Sequence, residues 1–318
     1  MKKDPKSQPE PPQPTAAEKK IYQYQDRLPF WPDDYYEQAN PIVRSSVFSS
    51  SSKRRFYEHY TSIRVLGDGD IQIFGPQLTV FDDSVIMQLN YSYRGKRLIE
   101  PLAINRRELL SNLNLGDGGK NYAKLETSLD RLNKSKMKIS SRSILKKLME
   151  LMTNAEINQS MDEHTRDYLH KSYGPYIDAI SSAIEKNEPF YLTMGFVNNY
   201  GVNKASGELI VTIDPLMILL LDGINTTRIK RQDRDALASP SSVKLLQYFM
   251  SHSGFVHDHK LETYHELLGS ETANMRKFKA DFVKWMNEIE EIGRIEPGWK
   301  VGPMVQGVKP IAYRSDEL

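Results

Sequence analysis

The stretch Gly269-Ser270-Glu271-Thr272-Ala273-Asn274-Met275-Arg276-Lys277-Phe278-Lys279 constrains this chain more than any other. It follows the run Leu261-Glu262-Thr263-Tyr264-His265-Glu266-Leu267-Leu268 and opens an amphipathic run that ends at Ile292. Phe278, Phe282, Trp285, Ile289 and Ile292 recur at steps of four and three. That spacing puts them on one face of an α-helix, and the face must be buried. Arg276, Lys284, Ala273 and Ala280 fall on the opposite face. A short helix, a tight turn and a second helix with a basic start make a helix-turn-helix, a motif whose second helix enters the DNA major groove. Thr272 is the expected N-cap, its hydroxyl satisfying a free backbone N–H. A solvated basic face on a core helix fits the same spacing, so the pattern alone leaves both readings open.

A second block repeats the plan. Asn105 to Leu113 reads as a helix, Gly116-Asp117-Gly118-Gly119 as a turn, and Lys120 to Leu132 as a second helix. Tyr122, Leu125, Leu129 and Leu132 keep helical spacing, with Lys120, Lys124, Ser128 and Arg131 on the outer face. From Lys120 to Lys147 nine Lys or Arg stand against Glu126 and Asp130, a local net charge of +7 in a chain whose total is +2. Such a field attracts polyanions and releases their counterions on binding. Further on, Phe190–Val197 and Glu208–Ile213 read as strands joined through Asn198–Gly207 as a long hairpin. Helix-turn-helix followed by a hairpin is the winged-helix plan. For the C-terminal block, Arg294 to Val301 and Val305 to Tyr313 are the candidate short hairpin.

The chain has 318 residues, which makes two domains the natural expectation. The reading is α+β and helix-rich: a disordered tail at 1–27, a first winged-helix domain at 28–228 and a second at 229–318. The tail carries Pro5, Pro9, Pro11, Pro12 and Pro14 and cannot bury a core. A helical insertion is expected at about 142–188. Ser49 to Arg55 reads as a Ser-rich basic loop, Ile63, Val65, Ile71 and Ile73 as strand positions, and Asp82 or Asp83 as the cap of a helix through Tyr93. There is no cysteine, so disulfides and thiolate metal sites are excluded. No apolar run approaches the roughly 20 residues that span a bilayer. Met1-Lys2-Lys3-Asp4-Pro5 lacks an apolar core, so no secretory signal is expected, and the C-terminal Ser315-Asp316-Glu317-Leu318 is read as chance.

Leu28-Pro29-Phe30-Trp31-Pro32-Asp33, followed by Asn40-Pro41-Ile42-Val43-Arg44-Ser45-Ser46-Val47-Phe48, resembles the N-terminal signature of TrfA-type plasmid replication initiators. Tyr122 to Leu132, Ser239 to His252 and Leu261 through Phe278 are similar to further stretches of that family, and the resemblance covers most of 28–300. It implies tandem winged helices that bind repeated duplex origin sites (iterons) and help melt an adjacent segment, with single-stranded origin DNA a further candidate ligand. It also implies recruitment of the host replicative helicase and the sliding clamp, a monomer–dimer equilibrium, a bacterial cytoplasmic location with the plasmid, and no catalytic residue, metal or cofactor. Carried over, the reading helices are Lys120 to Arg131 and Thr272 to Lys284. The candidate DNA contacts are Lys120, Asn121, Lys124, Ser128, Arg131, Thr272, Asn274, Arg276, Lys277, Lys279 and Lys284, with Asn274 and Arg276 expected at base edges. Gln25, Leu28 and Phe30 are a candidate clamp-binding peptide, whereas Gln77-Leu78-Thr79-Val80-Phe81 reads as core. The insertion departs from the family pattern. The competing functions are a winged-helix transcriptional repressor and a metal-dependent nicking Rep enzyme. The latter would use His257-Asp258-His259, which reads more simply as loop histidines.

Overall fold

A computed structural model describes residues 31–97, 100–155, 161, 163–221 and 225–313. The expected tail at 1–27, the candidate clamp residues Gln25, Leu28 and Phe30, and positions 315–318 lie outside the described residues. The chain is mixed α/β. It begins with β1 (Tyr35–Ala39), α1 (Asn40–Val43) and β2 (Phe48–Ser49). Then come β3 (Phe56–Ser62), β4 (Asp70–Pro76), β5 (Leu78–Thr79) and α2 (Val80–Tyr93). The start of α2 corrects an expectation. Neither Asp82 nor Asp83 is the cap: Thr79 precedes the helix, and its backbone N–H donates to Asp82 Oδ2 at 2.8 Å. The acid therefore reaches back from the third helical position, as in a capping box.

Next come β6 (Leu102–Asn105), α3 (Arg106–Asn112), α4 (Gly119–Lys134) and β7 (Lys136–Ser140). The expected insertion is helical: α5 (Arg142–Thr153), α6 (Glu163–Tyr173) and α7 (Ile177–Lys186). It is no separate lobe, because its Leu148, Leu151, Leu169 and Ile180 join the same core as Leu89, Leu125 and Leu129. β8 (Leu192–Gly195), β9 (Val197–Asn203), β10 (Glu208–Ile213) and α8 (Met217–Leu220) close this part. The expected strand Phe190–Val197 is divided. Its middle, β8, pairs with β7, and Val197 begins β9. Asn198 to Asn203, expected as loop, is the arm that pairs with β10, so the hairpin is longer than the apolar residues alone suggested.

The remainder is β11 (Thr226–Lys230), α9 (Arg231–Ala236), α10 (Pro240–Met250), β12 (His259–Lys260), α11 (Leu261–Leu267), α12 (Met275–Glu291), β13 (Lys300–Val301) and β14 (Met304–Gln306). Two units now share one plan: helix, short strand, short helix, long helix, hairpin. In the first this is α2-β6-α3-α4-β9-β10, with the insertion between long helix and hairpin; in the second it is α10-β12-α11-α12-β13-β14. The sheets agree, with orders β6-β10-β9 and β12-β14-β13. A second core of Leu246, Phe249, Tyr264, Leu267, Phe278, Phe282, Met286 and Ile289 fills the second unit.

The units are joined by strand pairing and by buried polar contacts. β1 pairs antiparallel with β11, Tyr36 facing Ile229. The expected boundary at residue 228 falls inside that strand. Between α2 and α10, Asp83 accepts from Gln247 at 2.6 Å and from Gln38 at 2.8 Å.

Candidate nucleic-acid interface

Each long helix is aimed by the short helix before it, and both short helices end in the same way. After α11, Gly269 adopts φ +58°; its N–H donates to Glu266 O at 2.9 Å and that of Ser270 to His265 O at 3.0 Å. After α3, Asn114 adopts φ 55°; its N–H donates to Ser111 O at 3.0 Å and that of Leu115 to Leu110 O at 2.9 Å. These are paired Schellman closures, which need a left-handed residue just past the helix. Asparagine serves in the first. In the second a Cβ would lie 2.5 Å from Ser49 Oγ, so only glycine fits.

The second long helix starts later than Thr272. Asn274 is the N-cap, its Oδ1 accepting from the N–H groups of Arg276 at 3.0 Å and Lys277 at 3.2 Å. Thr272 instead braces the turn, its carbonyl O lying 3.0 Å from His265 Nε2, and His265 stacks edge-on against Phe278. The cap is a correction, since it moves two residues on from Thr272, and the capping oxygen of Asn274 is committed to the helix. The inward face is Phe278, Phe282, Met286 and Ile289, with Trp285 and Ile292 only half-buried. Arg276, Lys277, Lys279 and Lys284 are exposed, together with Ala273 and Ala280, and none of the four cations is paired with a described carboxylate.

The first long helix presents less than its spacing promised. Ser128 is fully buried and donates to Asp82 Oδ1 at 2.5 Å. Arg131 turns inward as well, its Nη2 2.6 Å from the same oxygen and its Nε 3.0 Å from Oδ2. Asp82 has no exposed surface and, among the described residues, no other cation beside it, so the guanidinium neutralises it there. Asn121 is occupied too, its Nδ2 donating to Gly116 O at 2.8 Å. Ser128, Arg131 and Asn121 are therefore structural in this fold.

Lys120 and Lys124 remain on the exposed face beside Ala123 and Thr127, with Lys124 Nζ 3.9 Å from the centre of the Phe81 ring. The local charge of +7 is likewise dispersed. Lys134 pairs with Asp130 at 3.7 Å, Lys138 lies over Tyr60, and Arg142 and Lys146 sit on α5. In the turn before α4, Asp117 takes Arg107 at 3.1 Å and the Tyr122 hydroxyl at 2.6 Å, a bond that pushes the phenol's pKa up. Gly118 and Gly119 have negative φ or none in the left-handed range, and an added Cβ on either would meet nothing within 4 Å. No neighbour within the described chain requires glycine there, and the turn is open to an incoming surface.

Residues that the sequence reading did not single out complete the surface. The tip of the first hairpin carries exposed Lys204, with Asn203 Oδ1 holding the turn through the N–H of Ala205 at 3.0 Å. Lys53 and Arg55 approach the turn between α11 and α12, meeting Glu271 at 3.1 and 2.6 Å. They sit in a serine-rich loop with no periodicity to draw notice. His259 is not a loop residue: it begins β12, half-buried, with Nε2 3.0 Å from the Tyr248 hydroxyl. Desolvation holds its pKa below the usual histidine value. Among the described residues no cluster of His, Asp and Glu is disposed to hold a metal ion. Gln77 and Leu78 are buried, in keeping with the core reading of that segment.

Residues 18–166 match the family model described as "TrfA protein". This part of the chain is similar to the TrfA family. The plasmid replication initiator protein TrfA of Escherichia coli is 22% identical over 276 residues, an alignment covering 85% of this chain and 60% of that protein's length. The chain thus spans about 60% of the length of this TrfA relative. Among solved structures, the Pi initiator protein in complex with iteron DNA is similar with a TM-score of 0.46 and 12% identity, over 86% of this chain and 92% of that one. Domains 2-3 of RctB are similar with a TM-score of 0.40 and 14% identity, over 84% and 94% respectively.

Proposed function

We propose that this protein is a plasmid replication initiator that grips repeated duplex sites in an origin with two winged-helix units. One observation carries the reading. The same helix-strand-helix-helix-hairpin plan occurs twice, and each long helix keeps lysines or arginines exposed beside small residues. Small residues let a helix sink between phosphate walls, and unpaired cations hold those phosphates. The TrfA relationship of residues 18–166 supports the same assignment.

The contact set is Lys120 and Lys124 on α4, Asn274 at the cap of α12, and Arg276, Lys277, Lys279 and Lys284 on that helix. Thr272 contributes through the turn. Origin melting, recruitment of the host helicase and clamp, contact with single-stranded origin DNA, monomer–dimer exchange, and a cytoplasmic location with no enzymatic step belong to the same proposal. They rest on the family resemblance.

The test places the gene beside its own upstream DNA in a plasmid with no other origin. Maintenance of that plasmid, with protection of direct repeats by purified protein, is the expected result. Arg276→Ala should weaken repeat binding by about 1–3 kcal/mol and relax preference at one base position. Unchanged binding by that variant sinks the assignment of α12 as reader. Repression without replication would favour a repressor, and a strand-specific nick a cleaving enzyme.

A further inference from the structure

The segment from the end of β2 to the start of β3, residues 49–55, belongs to the first unit by both ends. Phe48 and Ser49 pair with Leu78 and Thr79, and the N–H of Gln77 donates to Arg55 O at 2.9 Å. Its middle lies against the second unit, on the turn that carries α12. The N–H of Ser50 donates to Leu268 O at 2.9 Å, and the Ser50 hydroxyl reaches the same oxygen at 3.1 Å. Ser49 Oγ donates to Gly269 O at 3.1 Å, and Ser241 of α10 reaches Ser50 Oγ at 3.0 Å. Glu271 then takes both Arg55, at 2.6 Å, and Lys53, at 3.1 Å. The ammonium of Lys53, with the charge of Arg55 beside it, holds the Glu271 carboxyl below its usual pKa. Gly269 completes the lock, since any side chain there would collide with Ser49.

The location of these contacts gives them consequence. β1 with β11, and Asp83 with Gln247, tie the first unit to the start of the second and to α10. The serine loop ties it to the turn that aims α12. Two helices reading one duplex must match the distance and the rotation between their target base pairs. One base pair shifts the second target by about 3.4 Å and about 35°, since a turn of about 10 base pairs rises 34–36 Å. A junction fixed by direct hydrogen bonds cannot absorb that change, so the DNA must deform instead, which costs binding energy.

We propose that the strap Ser49–Arg55, closed on Gly269 and Glu271, sets the spacing between the two DNA half-sites that this chain accepts, with Glu271 its positioning residue. The inference rests on the proposed DNA-binding function and adds to it what decides spacing.

The probe is the duplex that the full-length chain recovers from a random-sequence library, its two protected blocks mapped by footprinting. Copies are then made with one base pair added or removed between the blocks. The unaltered chain should bind these copies at least about tenfold more weakly, the scale of one disrupted base-pair contact. In Glu271→Ala, and independently in the double variant Lys53→Ala/Arg55→Ala, that penalty should shrink to within about threefold with the melting temperature near that of the unaltered chain, and in Glu271→Ala the affinity for a single block should stay near that of the unaltered chain as well. Glu271→Gln, which keeps an acceptor but loses the charge, should fall between. A role confined to folding would lower the melting temperature and all affinities together and leave the spacing penalty in place. A penalty that survives in both variants overturns this inference and leaves the DNA-binding function standing. Failure of the unaltered chain to recover any duplex overturns both.

Discussion

Asp82 is held by donors from three residues. Thr79 donates its N–H at 2.8 Å and its hydroxyl at 2.9 Å, Ser128 donates at 2.5 Å, and Arg131 at 2.6 Å. The group has no exposed surface, and its burial is offset by these converging donors. Asp82→Ala strands the Arg131 guanidinium against the core and should destabilise the fold by about 3–5 kcal/mol, read from urea unfolding. A loss under about 1 kcal/mol would mean that Arg131 escapes to solvent and is available to DNA after all. The sequence offered no warning of this. Ser128 and Arg131 fall at outward spacing on α4, but the carboxylate that claims them lies 46 and 49 positions earlier. Helical periodicity describes which residues share a face; it cannot say what another helix brings to that face.

At the scale of elements, α12 was legible and its first turn was not. The apolar repeat placed the buried face within a residue or two, because burial of Phe278, Phe282 and Ile289 follows from spacing alone. The cap was misplaced because Thr and Asn are both good caps. Thr272 is held by the turn through His265, which leaves Asn274 to start the helix. Two substitutions separate the structural and the binding roles of Asn274. Asn274→Ala should lose about 1 kcal/mol of stability. Asn274→Asp should keep stability within about 0.5 kcal/mol, since Asp caps as well as Asn and favours a helix N-terminus. Its new charge should nevertheless weaken duplex binding if this end of α12 faces phosphates, as a filter-binding titration would record. Equal affinity for Asn274→Asp and the unaltered chain would move the DNA away from the start of the helix. The first hairpin was only half legible for a related reason: past Val197, β9 alternates half-buried and exposed residues and carries Asn198, Asn199 and Asn203, and asparagine reads as loop.

At the scale of the molecule, two units meet across a polar seam. Lys244 of α10 is fully buried there and donates to Ile42 O at 3.2 Å, and burial pushes its ammonium pKa down to about 8, against the opposing pull of Asp83. An unfolded chain keeps this lysine protonated up to its ordinary pKa near 10.4, so between pH 8 and about 10.4 the unfolded state binds more protons and stability rises with pH. Below pH 8 both states carry the proton and the burial penalty is constant. Lys244→Met should therefore stabilise the protein at pH 7 by on the order of 2–3 kcal/mol and flatten the rise above pH 8. Ile42 O keeps Ser45 as donor at 2.9 Å, so the substitution leaves no orphaned acceptor. Urea midpoints at pH 7 and pH 10 check this, and an unchanged difference between them refutes it. The sequence by itself determined the two helix-turn-helix blocks, the helical insertion and the buried face of each long helix, because each follows from the spacing of apolar residues along a few turns of chain. Only the tertiary structure decided which outward-spaced polar residues are spent on Asp82, where β9 runs, and how Lys53 and Arg55 come to hold the turn of the other unit. Those outcomes depend on groups far apart in sequence, whose contacts no local pattern encodes.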